Sequence, residues 1–189
     1  MAYGLRPAGH KSGVPIKCNV MRQWRIASGY ASNIFNGDVV TYTTDGTITL
    51  ATAGIVPVGV FAGCSYKDST GAIIYSKRWT ASTTASDIKA DVYDDPLIIF
   101  KCEADQDTTP ITNNSIGENA DIVYVTGNAN TGLSGSSFDS SGSAAATATL
   151  RLVRSADVTD TIATSVGTAV PVLVYFNEHL FTTTGTAGV

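Results

Sequence analysis

Apolar residues in this chain gather in short strand-like runs separated by turn-forming residues. The segment KCNVMRQWRI reads as a first strand, with Cys18, Val20 and Trp24 available to one face. In GDVVTYTTDGTITLA two β-rich runs meet at Asp45-Gly46. An Asp-Gly step supplies the positive φ angles of a tight turn, so this stretch is predicted to be a hairpin. IVPVGVFAGCSY is almost continuously apolar but broken by Gly59 and Gly63, the pattern of a central strand with a bulge or a close backbone approach. AIIYSKRWTA, PLIIFKCEA, ADIVYVTG, ATLRLVR and PVLVYFNEH add further strands, frequent enough for a sandwich or a barrel. Helix is expected only as short pieces near residues 84–90 and 155–164, where Ser, Thr and Asp offer caps. Residues 127–148 are small and polar apart from Leu133 and Phe138, which predicts a long surface loop pinned to the body by those two side chains.

Composition agrees with an all-β class: 43% of the 189 residues are hydrophobic and only 15% charged, which suits strands joined by turns and one core. Charge changes the picture at the N-terminus. Arg6, Lys11, Lys17, Arg22 and Arg25 all precede the first carboxylate, Asp38, so a segment of +5 precedes a remainder of −9. Residues 1–16, with Pro7 and Pro15 favouring extension, are therefore read as an extended N-terminal arm on a β domain spanning 17–189. No apolar run approaches the roughly 20 residues that span a bilayer, so no membrane contact is expected.

Candidate chemistry is sparse. The two histidines, His10 and His179, lack zinc-site spacing, and no GxSxG turn presents a nucleophile. Glu103, Asp105 and Asp107 alternate as calcium ligands on a strand would, but without the glycine turn and terminal glutamate of a calcium loop they read as a solvated acidic strand end. Asp94-Asp95-Pro96 reads as a turn. Phosphate-binding glycine motifs are absent from the sequence, so no cofactor is assigned and no catalytic or metal site is named. Arg22, Trp24, Arg25 and Tyr30 mix cations with aromatics as single-strand binders do, yet an acidic body repels phosphates, and no nucleic-acid partner is expected. Cys18, Cys64 and Cys102 form no CxxC pair and are expected to be buried free thiols, with a single disulfide among them left open.

The blocks AYGLRP, NGDVV, PVGVFAGCSY, DDPLIIFKCEAD, IGENADI, TGLSGSSFD and VYFNEHLF, in that order before TTTGTAGV, resemble head decoration, or cement, proteins of tailed bacteriophages. The resemblance implies a non-enzymatic virion protein, made in the host cytoplasm, that binds the major capsid protein on the outer capsid surface. It further implies a homotrimer at local threefold positions that braces the shell against packaged DNA. The capsid-binding arm of such proteins maps here onto Tyr3, Leu5, Arg6, His10, Lys11, Val14 and Ile16. Leu5, Val14 and Ile16 would be its apolar anchors, and Arg6 and Lys11 would meet acidic positions on the shell. Phe176, His179, Leu180 and Phe181 form an apolar C-terminal stretch suited to a trimer interface, or alternatively close the last strand of the core. The 127–148 loop is expected to face away from the shell. Two rival readings are another virion component, such as a tail or fibre subunit, and a small-molecule-binding β-barrel with an aromatic-lined pocket.

Overall fold

The computed structural model describes residues 2–16, 21–52, 55–105, 109–112, 115–141, 148–156 and 169–182. Among these residues there is no α-helix, and β1 to β15, numbered in chain order, fall into three sheets. The all-β expectation is met.

The seven-stranded sheet runs β11 (Asn119–Ala120), β14 (Leu150–Ser155), β15 (Val170–Phe176), β10 (Ile98–Ala104), β13 (Ser137–Phe138), β12 (Ile122–Val123), with β1 (Arg6–His10) also on β10. Its period-two pattern is clean. Ile98, Phe100, Cys102 and Ala104 of β10, and Val170, Val172, Val174 and Phe176 of β15, all point into one buried cluster. Each Ile, Val or Phe among them contributes roughly 1.5–3 kcal/mol by leaving water.

The six-stranded sheet runs β2 (Met21–Trp24), β9 (Ser86–Tyr93), β6 (Gly59–Lys67), β4 (Val39–Tyr42), β5 (Ile48–Leu50), with β7 (Ile73–Ser76) beside β6. It curls until its ends meet, and the Ile48 N–H donates to the Arg25 carbonyl at 2.8 Å. Phe61, Val40, Ile48, Val92 and Trp79 fill the space inside. Trp79 comes from a separate ribbon, β3 (Ile34–Phe35) with β8 (Arg78–Trp79). Val39, Ala51 and Val60 turn the other way, into the cluster of the larger sheet, and so join the two.

The β4–β5 hairpin forms as expected, with Val40 opposite Leu50 and Tyr42 opposite Ile48. Its turn differs, because Gly46 alone takes a positive φ (75°) and Thr43 bonds to both Gly46 and Thr47. This is a three-residue loop whose left-handed glycine resets the twist, not a two-residue turn. β6 is central and its pairing to β9 slips at Phe61/Gly63, as the glycine predicted. The short helix expected at 84–90 is instead the start of β9, where Ile88, Ala90 and Val92 alternate inward between β2 and β6. Two flanking strands satisfy its backbone on both sides, which outweighs a local capping pattern. Of the other helical expectation, Ser155 ends β14 and 157–168 lie outside the described residues. The 127–148 loop, described to Ser141 and at Ala148, contributes β13, whose Phe138 is buried, while Leu133 bridges to Asn36.

The N-terminal segment belongs to the body. β1 lies antiparallel on β10, Arg6 opposite Lys101 and His10 opposite Ile98. Just before it, Gly4 (φ 71°) and Gly37 (φ 96°) meet back to back, and a Cβ at Gly4 would overlap the Gly37 carbonyl and the Ser134 side chain. Gly4→Ala is expected to cost about 2 kcal/mol, from the left-handed backbone and the overlap. Its urea midpoint checks this; a midpoint equal to wild type would mean that this contact is not held in solution.

Candidate functional site

Of the residues assigned to the N-terminal arm, the structure turns only some outward. Leu5 is 1% exposed and belongs to the core of the larger sheet, so it cannot also anchor the chain on another surface. Sequence spacing missed this because nothing local distinguishes an anchor for a partner from an anchor for the chain's own core. Ile16 is half-buried against the same cluster. The Arg6 guanidinium lies 5.3 Å from the Tyr3 ring centre. Burial, with Glu103 nearby, pushes the Tyr3 phenol up to about 12. His10 bridges Asp95 through Nε2 (3.2 Å) and Ser12 through Nδ1 (2.6 Å). The Lys11 N–H donates to the Leu97 carbonyl at 2.8 Å, and its Nζ sits 3.3 Å over the Tyr175 ring. Burial and then Arg151 lower the Lys11 pKa. Beyond His10 the chain turns, the Gly13 N–H donating to the His10 carbonyl, and Val14 projects into solvent.

At the C-terminus the structure splits the four interface candidates. Phe176 and His179 are core residues, each 3% exposed, which corrects their assignment to a subunit interface. Leu180 and Phe181 are about 44% and 45% exposed. Aromatic contacts run outward from the core without a break: Phe100 to Phe176 and Phe176 to His179 (5.4 Å each), His179 to Phe181 (5.6 Å), Phe181 to Trp24 (6.2 Å) and Trp24 to Tyr42 (5.9 Å). Below the outer rings, Asp94 is buried and accepts from Trp24 Nε1 at 3.0 Å. Arg22 lies 3.5 Å from the same carboxylate and 5.5 Å from the Phe181 ring centre. Burial raises the Asp94 pKa, against the Trp24 bond and Arg22. The Leu180 N–H donates to the Pro57 carbonyl at 2.9 Å and fixes the chain there. Trp24 and Tyr42 were not assigned to this surface from the sequence, since only the curl of the smaller sheet brings them to the chain's end.

The remaining candidates hold structural posts. Asp95 accepts from the Leu97 N–H at 2.9 Å, the turn expected of Asp-Asp-Pro. Asp105 accepts from the Ser140 N–H at 2.9 Å, while Asp107 lies outside the described residues. Cys64 and Cys102 are buried free thiols, and burial raises both, Cys64 to about 12; Cys18 lies outside the described residues. A groove of about 330 Å³ is lined by Phe35, Tyr124 and Asp38, whose carboxylate accepts from the Phe35 N–H at 2.7 Å. The arrangement at the C-terminus presents half-exposed aromatic rings on a rigid base, which is the chemistry of protein contact. No family model matches this chain, and no curated protein or solved structure matches it either.

Proposed function

We propose that this protein is a non-enzymatic structural component of a tailed-phage virion that seats on the outside of the capsid as an oligomer, most simply a trimer. The observation that carries the reading is the Tyr42, Leu180 and Phe181 patch, exposed yet braced through Trp24 and His179 on the core. Apolar rings held rigid in solvent bury area on association at little entropic cost. The likeness of sequence blocks to cement proteins supplies the partner, and several contacts held together by an oligomer would give avidity that one lacks. Side chains fill the curled sheet, which supports this reading over a ligand-holding barrel.

The test pairs two measurements on the full-length chain. Wild type is expected to co-sediment with expanded, undecorated shells and to run as an oligomer in sedimentation velocity. L180S/F181S is expected to remain folded and run as a monomer, since truncating half-exposed side chains costs only about 1 kcal/mol. Wild type that stays with the supernatant would remove the decoration reading, and a monomeric wild type would remove the patch as the subunit interface.

A further inference from the structure

The outer face of the seven-stranded sheet carries a charge pattern that folding alone does not favour. Arg6 stands directly opposite Lys101 across the β1–β10 pair. Lys101 stands opposite Leu173 of β15, and Leu173 opposite Arg154 of β14. Arg151 stands opposite Tyr175, the ring that Lys11 covers. Directly opposed side chains of a pair share a face, so β1, β10, β15 and β14 present a band of cations on one side, with Leu173 and Tyr175 between them. Glu103 lies two residues along β10 on the same side. Elsewhere on the molecule Arg22, Lys67 and Lys89 lie against carboxylates, and His10 meets Asp95. Arg151 instead donates through Nε to Asn119 at 2.8 Å.

Two features make this more than a solvated face. Like charges directly opposite on paired strands destabilise the pair, and Arg6 and Lys101 stand in that relation. Lys11 also lies over the ring of Tyr175, which stands opposite Arg151, and burial and then that guanidinium lower the Lys11 pKa. A cost retained in the free protein is recovered when anionic groups arrive. The Tyr175 ring is occupied by Lys11, so it is not free to stack a nucleobase, and the band crosses four adjacent strands, a breadth that suits another protein's surface.

We infer that the outer face of the seven-stranded sheet, centred on Lys101, Arg151 and Arg154, docks against a carboxylate-rich surface of a partner protein. The inference rests on the proposed function for the partner's identity, the capsid shell, and on the charge pattern for its chemistry. The segment at Lys11 then acts as one margin of a broad cationic surface and not as a separate tether.

The test uses K101E/R154E, both positions exposed, with R25E/K77E, also exposed and away from this face, as a control of equal charge change. K101E places an acid opposite Arg6, so its melting temperature is expected to hold or rise, which separates lost binding from lost folding. Poly-L-glutamate is the probe of an acidic protein surface, a duplex DNA oligonucleotide the probe of phosphate, and expanded shells the probe of the partner. Binding to polyglutamate is expected to weaken about tenfold in K101E/R154E, to persist in the control, and to fall as salt rises. Equal polyglutamate binding by both variants, or no binding by wild type, overturns the inference. DNA bound more tightly than polyglutamate through the same residues also overturns it, in favour of nucleic acid. If wild type and K101E/R154E bind shells alike, the inference fails and the decoration reading stands. If wild type ignores shells but binds polyglutamate through Lys101 and Arg154, the surface chemistry stands and the decoration reading fails.

Discussion

Leu5→Ala is expected to lower the unfolding free energy by about 3 kcal/mol, the usual cost of removing three buried carbons and leaving part of the space empty. Leu5 is almost wholly buried in the cluster built by β10, β14 and β15, and β1 follows it directly. A leucine on a free arm would change stability by less than about 0.5 kcal/mol. Val14→Ala, at a solvent-facing position of the same segment, serves as that comparison. Urea midpoints for the two variants decide the matter, and equal midpoints would detach the N-terminal segment from the folded body. The expected result also bears on how shell binding is assayed. Deleting residues 2–16 would remove Leu5 and β1 together, so lost attachment after such a deletion would report lost structure as readily as a lost contact.

Acidification is expected to withdraw about 3 kcal/mol of stability between pH 6.5 and 4 through His179 alone. The ring is buried between Phe176 and Phe181, and its Nδ1 accepts from the Phe181 N–H at 3.1 Å, which leaves the proton on Nε2. Nε2 faces the Val58 backbone without a well-formed hydrogen bond. Burial lowers the pKa from 6.5 to about 4. The unfolded chain therefore binds a proton that the folded one refuses. The contribution is complete above pH 6.5, declines as pH falls, and is spent below about 4. Asp38 and Asp94 act in the opposite sense, because burial raises both and the folded state takes up their protons first. Comparing wild type with His179→Gln isolates the histidine: the wild-type advantage measured at pH 7 should shrink steadily toward pH 4. Parallel stability curves across that range would show that His179 titrates normally.

Much of the β architecture was legible because its signals are local. The alternation in PLIIFKCEA and PVLVYFNEH specifies which side chains of β10 and β15 turn inward, whatever lies beside them. Asp45-Gly46 marks a reversal, although the identity of the turn depended on how Thr43 met Thr47. β9 was read as helix because residues 84–90 offer caps, whereas the alternation of Ile88, Ala90 and Val92 carried the better signal. The candidate surfaces were less legible. Leu180 and Phe181 were named from their apolar character, but the same character in Phe176 and His179 serves the core, and composition does not distinguish the two.

By itself the sequence determined the all-β class, the β4–β5 reversal, the central place of β6, and an N-terminal run of cations ahead of an acidic remainder. These depend on neighbours in the chain, which a periodic pattern records. Tertiary structure alone decided that β1 would occupy the edge of β10, that Trp24, Tyr42 and Phe181 would share one surface, and that Arg6 would face Lys101. Each of these is a pairing between distant segments. Strand partners and register are selected by the collective burial of whole faces, since a one-residue slip would turn every apolar side chain outward, and no single stretch of sequence contains that choice.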